Sequence, residues 1–216
     1  MEAYRSRMSP LSRRELLQRC AASGVLLATP VLGRGFVDVM LAAEQAAKHP
    51  TPPNEFGPFY RRGAPHTATL RQQGDPGMPL VISGVVYDLT GQARPDATIE
   101  LWHADHHGHY DIEGYHFRSI LPIDGKGAYQ VETVMPGHYP DRVAQHVHYM
   151  VKAPGCKPLV TQLYFATDPV FKGDPDRNFT ADPLVVTREL VRPVLLTGDP
   201  GTPTAAVTFE LVLEKA

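Results

Sequence analysis

The stretch Pro136-Gly137-His138-Tyr139-Pro140, followed by Arg142 and by Gln145-His146-Val147-His148-Tyr149-Met150-Val151, changes character along its length. Pro and Gly make its first part a turn. Its last part reads as a β-strand, because His146, His148 and Met150 alternate with Val147, Tyr149 and Val151. Residues two apart on a strand share a face and lie roughly 6.6 Å apart along the backbone. His146 and His148 can therefore reach one metal ion together. Tyr139 stands just upstream, and a second tyrosine occupies a similar Gly-x-Tyr setting in Gly108-His109-Tyr110. Tyr110, Tyr139, His146 and His148 are the candidate ligands of a single iron.

The same alternation recurs on both sides. Residues 80–87, 97–104, 128–134, 159–166, 184–191 and 206–214 read as strands, with turns such as Asp124-Gly125-Lys126-Gly127 between them. In the last of these, Val207, Phe209, Leu211 and Leu213 point one way, the mark of a half-buried antiparallel strand. The chain has 216 residues, 21 of them Pro and 18 Gly, which suits one well-buried domain with many turns. The expected fold is all-β, an antiparallel β-sandwich core over residues 79–216 with an irregular N-terminal arm.

A net charge of −2 gives no reason to expect nucleic acid or an anionic membrane surface as a partner. Two cysteines, Cys20 and Cys156, exclude a disulfide framework and a Cys-rich zinc site. Homo-oligomerisation is compatible with the sequence but not readable from it.

Near the start, Ser12-Arg13-Arg14-Glu15-Leu16-Leu17 precedes an apolar run over residues 21–32. The run is too short to span a bilayer and suits the apolar core of an export signal. Paired arginines in this setting match twin-arginine signals. Residues 1–43 are therefore expected to be a removable leader, with the cleavage point open and residues 35–48 ending it or forming a short helix. The processed protein would be periplasmic or secreted, without a membrane anchor. Residues 44–78 are expected to be an extended arm. Pro52, Pro53 and Pro58 bar a long regular element there, and Phe56, Phe59 and Tyr60 can tie it down.

Two imidazoles and two phenolates make an N₂O₂ donor set. Phenolate is a hard, electron-rich donor that favours a highly charged ion, so ferric iron is the natural guest. A bound ion would lower the tyrosine pKa from its usual value of about 10. The histidines of Trp102-His103-Ala104-Asp105-His106-His107-Gly108-His109 form a second cluster, read as a polar loop plus one strand histidine. A cupin reading of His146-Val147-His148 lacks its following carboxylate, since Met150, Val151 and Lys152 stand there.

In order, Leu101-Trp102-His103-Ala104-Asp105, Gly108-His109-Tyr110, Phe117-Arg118, Asp124 to Tyr129, Pro136 to Pro140, His146-Val147-His148 and Leu159 to Phe165 resemble the intradiol ring-cleavage dioxygenases. That group includes catechol 1,2-dioxygenase and protocatechuate 3,4-dioxygenase. The resemblance covers about residues 80 to 170, and Gly57-Pro58-Phe59-Tyr60 resembles the arm of the catechol-type members. It implies a β-sandwich holding a mononuclear non-haem Fe(III), with a small aromatic diol and O₂ as substrates. The ring would open between its two hydroxylated carbons to a muconate-type dicarboxylic acid.

By the same resemblance Tyr110 is the retained phenolate ligand, and Tyr139 the one that substrate displaces and that serves as a base. His146 and His148 are the imidazole ligands, and Gln162 lies beside the substrate. Pro58, Phe59 and Tyr60 come near the substrate. The family's arginine position holds Val143 here, with Arg142 one residue earlier as its stand-in, and Gln145 is an unusual neighbour for a ligand. The shifted arginine also motivates the alternative of an inactive iron-binding relative. The strand and turn of residues 83–91 are shared with transthyretin-like binding modules, a reading that leaves the four ligand candidates unexplained.

Overall fold

A computed structural model describes residues 48–139, 142–199 and 201–216. The expected leader and Cys20 lie outside the described residues. Ten strands are described: β1 (Pro79–Asp88), β2 (Thr98–Trp102), β3 (Arg118–Leu121), β4 (Ala128–Val134), β5 (His146–Lys152), β6 (Leu159–Phe165), β7 (Val191–Arg192), β8 (Leu195–Thr197), β9 (Thr204–Thr208) and β10 (Leu211–Leu213). One short helix, α1 (Pro175–Asn178), lies between β6 and β7, flanked by 3-10 turns. No described helix is long and apolar enough to cross a membrane.

The strands form two sheets. In the first, β1 pairs with β4 on one edge and with β9 and β10 on the other, and β8 extends β9. The second runs β3-β2-β5-β6-β7. Ile82, Val86, Val131, Val207 and Leu211 of the first sheet share one apolar core with Ile99, Leu101, Val147, Tyr149 and Leu163 of the second. The Tyr149 ring, 5.3 Å from that of Phe209, crosses between the layers.

Both sheets are mixed, which corrects the purely antiparallel expectation. β1 runs parallel to β9 and β10, and β6 runs parallel to β7. Parallel neighbours need a long connection rather than a hairpin. Between β6 and β7 it is the segment with α1 and the 3-10 turns, and between β1 and β9 it is the whole run from β2 to β8. Two strand expectations also change. Within residues 184–191 the chain makes a 3-10 turn, Arg188–Leu190, because the Thr187 hydroxyl accepts from the Glu189 N–H and closes the backbone on itself. Residues 206–214 are divided into β9 and β10.

Register places the site. Across the second sheet, Arg118 pairs with Trp102, Trp102 with His148, and His148 with Gln162, a single row over four strands. His146 stands opposite Tyr164 on the next row of the same face. That face points away from the first sheet. The arm lies over it through Phe56, whose ring is 5.4 Å from Trp102, and Tyr60, at 5.1 Å.

Candidate metal centre

β5 presents His146 and His148 on one face, as strand alternation requires. The His146 Nδ1–H donates to the Ala144 carbonyl at 2.8 Å, which leaves the Nε2 lone pair free to act as a ligand. Nε2 of His146 and Nε2 of His148 lie 3.3 and 3.1 Å from one atom, the Tyr110 hydroxyl oxygen. Trp102 fixes the His148 ring from its other side, stacked at 5.0 Å and 2°. Nδ1 of His148 is buried, and the Glu55 backbone acts on that ring as a hydrogen-bond partner.

The two tyrosines come from turns packed backbone against backbone. The Gly137 N–H donates to the Asp105 carbonyl at 2.7 Å, and a Cβ on Gly108 would sit 1.9 Å from the His138 carbonyl oxygen. Only glycine fits there, and the fit brings the Tyr110 and Tyr139 rings to 5.7 Å. Tyr139 is 5.7 Å from His146, ring to ring. Phe59 stacks on Tyr110 at 4.2 Å and stands edge-on to Tyr139 at 6.1 Å. Tyr60 turns instead to Glu100, donating its hydroxyl at 2.7 Å, while Pro58 is exposed. Of the three expected substrate contacts, the structure thus brings Phe59 directly against the candidate ligands.

Burial pushes His146 down to about 4, with the Arg142 charge acting in the same sense. Burial also carries His148 well below the usual histidine range. Tyr110 is pushed above the ordinary tyrosine range by burial and by Tyr139, against the charges of Arg142 and Arg118. Neutral imidazoles offer lone pairs with no proton to displace. Buried phenols ionise only when a cation compensates, so this donor set fits a highly charged ion.

Arg142 reaches the site. It is buried, whereas Val143, at the expected arginine position, is 46% exposed. The Arg142 N–H donates to the Tyr139 carbonyl at 2.9 Å. Arg142 Nη2 donates to Gln162 Oε1 at 3.1 Å and to the Tyr164 hydroxyl at 2.9 Å. Gln162 Nε2 donates to the Glu55 carbonyl at 2.7 Å, tying the arm to β6. Gln145 faces elsewhere, its Nε2 donating to the Pro136 carbonyl at 2.8 Å. A cavity of about 520 Å³ opens beside the site, lined by His138, Tyr139, Arg142, Val143 and Val170. A larger hollow, about 680 Å³ beside Ser83, Tyr129 and Glu210, has no histidine in its lining.

In the second histidine cluster His103 stands apart, while the His106 and His107 rings lie 3.6 Å apart and those of His107 and His109 6.3 Å apart. His103 is buried, its Nδ1–H donating to the Ala104 carbonyl at 2.6 Å and its Nε2 accepting from the Thr133 hydroxyl at 2.7 Å. His107 and His109 are exposed. Sequence reasoning missed four supporting residues. Asp168 accepts from the Gln145 N–H at 2.6 Å and contacts His138 Nε2 at 3.0 Å. Asp182 contacts Arg142, and Trp102 backs His148. Arg118 donates to the carbonyls of Phe59 and Asp111, joining the arm to the Tyr110 loop. Trp102 and Arg118 were in view as part of the resemblance without a role; nothing local in sequence marks the two aspartates.

A family model described as dioxygenase matches residues 56–215. A catechol 1,2-dioxygenase of Acinetobacter baylyi is 33% identical over 175 residues, covering 66% of this chain and 56% of the relative. A 6-chlorohydroxyquinol 1,2-dioxygenase of Cupriavidus pinatubonensis is 33% identical over 174 residues, covering 69% of this chain and 62% of the relative. Among solved structures, the dioxygenase domain of a dioxygenase carbohydrate-binding protein fusion from Streptomyces sp. SirexAA-E superposes with a TM-score of 0.68 at 32% identity. That match covers 78% of this chain and all of the other. With most of its length matched, the chain belongs to the intradiol ring-cleavage dioxygenases. It spans less than two thirds of the length of the two sequence relatives.

Proposed function

We propose that the protein is an iron-dependent intradiol dioxygenase that opens a catechol-type diol between its hydroxylated carbons, giving a muconate-type dicarboxylic acid. The observation that carries this reading is the convergence of both Nε2 atoms on the Tyr110 hydroxyl, with the His146 tautomer already set. Tyr110, Tyr139, His146 and His148 would hold one Fe(III). When bound, that ion would draw electron density from the diol and make its ring reactive towards O₂.

The chain's own groups do the rest. Tyr139 is partly exposed beside the cavity, so the diol can reach it, and its phenolate oxygen takes a proton from a diol hydroxyl. The Arg142 guanidinium, held at Gln162, stabilises negative charge on the diol oxygens as those protons leave. Phe59, edge-on to Tyr139, confines the plane in which an aromatic ring enters. The arm keeps water from the buried imidazoles. Residues 1–43 act as a twin-arginine leader in the same reading, delivering the protein to the periplasm; N-terminal sequencing of the mature protein tests that part.

Oxygen uptake with catechol, hydroxyquinol and protocatechuate tests the activity. The expected result is consumption of one O₂ per diol, with a product heavier than the diol by both oxygen atoms. No uptake with any diol by iron-loaded protein would overturn it.

A further inference from the structure

One buried carboxylate touches both halves of the site. Asp182 lies in the connection between β6 and β7 and is 1% exposed. Its Oδ2 accepts from Arg142 Nε at 3.2 Å and from the Ala144 N–H at 3.1 Å. Its Oδ1 accepts from the Leu184 N–H at 2.8 Å, so the carboxylate is itself held in place. Arg142 then reaches Gln162 and Tyr164, while the carbonyl of Ala144 sets the tautomer of His146.

We propose that Asp182 is the positioning residue of this centre, aiming Arg142 by direct contact and orienting His146 through the Ala144 residue. The proposal rests on the functional reading above. The Arg142 side chain is long and flexible, so its backbone alone does not fix where the planar five-donor guanidinium is aimed. A buried guanidinium without a carboxylate would be displaced or heavily penalised. Asp182 supplies the counter-charge at Nε, while Nη2 holds Gln162. Removing its charge should therefore matter to Arg142, and removing its acceptor should also matter to His146.

The test uses two variants of the full chain. Asp182→Asn loses the charge facing Arg142 and, with its oxygen kept towards Ala144, gives up the acceptor for Leu184; Asp182→Ala loses the charge and both acceptors. In the iron-loaded protein, Asp182→Asn is expected to lower kcat/KM by about 10–100-fold, mostly in kcat. In an Arg142→Met background the same change should add less than about 2-fold, because the two act as one unit. Asp182→Ala should also release iron to a chelator about 10-fold faster than the parent. Equal losses in both backgrounds, or release at the parent's rate, would overturn the proposal. Iron-loaded parent that opens no diol defeats the functional reading alone, and the chelator comparison still decides this one. If the parent takes no iron, the Arg142 Nε–H proton resonance decides it. That signal should exchange slowly in the parent and be lost in Asp182→Ala; an unchanged signal contradicts the assignment.

Discussion

The two faces of β5 are both buried, yet their chemistry is opposite. Val147, Tyr149 and Val151, each 0% exposed, face the first sheet. His146 at 2%, His148 at 1% and Met150 at 8% face the other way, under the arm and its neighbours. A sandwich strand commonly leaves its outer face to water. Here protein replaces the water, so outer polar atoms need partners from the protein or from an ion. His146 finds Ala144 and Gln162 finds Glu55, but Trp102 Nε1 finds none in the described residues. The inner face holds the sandwich together; the outer face holds its imidazoles neutral.

That contrast can be broken from either side. The largest expected effect is on the outer face: His148→Ala should weaken iron binding by more than the ~10–100-fold that a supporting partner is worth, measured by metal analysis after dialysis. On the inner face, Leu163→Ala should cost about 2–5 kcal/mol of stability in urea unfolding, while the folded protein still binds one iron. The opposite pairing of losses would mean that the faces have been assigned wrongly.

A smaller effect separates buried histidine from surface histidine. Burial holds His103 down at about 4. Its folded pKa lies below the unfolded value of about 6.5, so the unfolded chain takes up the proton first as pH falls. The stability tied to neutral His103 is present above ~6.5 and is lost as pH drops towards 4, at most ~3 kcal/mol. Urea unfolding of metal-free protein at pH 7 and 4.5 should show this drop, and His103→Asn should reduce it. Gln145→Ala should have the least effect, about 1 kcal/mol for the lost bond to Pro136, with no change in iron content. A loss of iron there would return Gln145 to the centre.

The comparison also explains what could be read without coordinates. Period-two alternation made β5 legible and put His146 and His148 on one side of it. The Gly-x-Tyr turns were legible too, and their glycines explain how two distant tyrosines meet. The parallel pairing of β1 with β9 and β10 was not, because strand direction is set by the length and path of connections, not by side-chain period. Asp182 was hidden for a related reason: it meets Arg142 from 40 residues away, just before a segment whose apolar spacing imitates a strand. Arg142 itself was seen as one residue out of place. Only its contacts with Asp182, Gln162 and Tyr164 show that it points inward while Val143 is exposed.

The central claim is that the outer face of the second sheet holds one ferric ion through two tyrosines and two histidines. Metal analysis combined with visible and resonance Raman spectra of the purified protein tests it most directly. The account predicts one iron per chain and a visible tyrosinate-to-iron band with tyrosine ring vibrations, lost or strongly shifted in Tyr110→Phe. Protein that takes up no iron, or that binds iron with no such band, would contradict it.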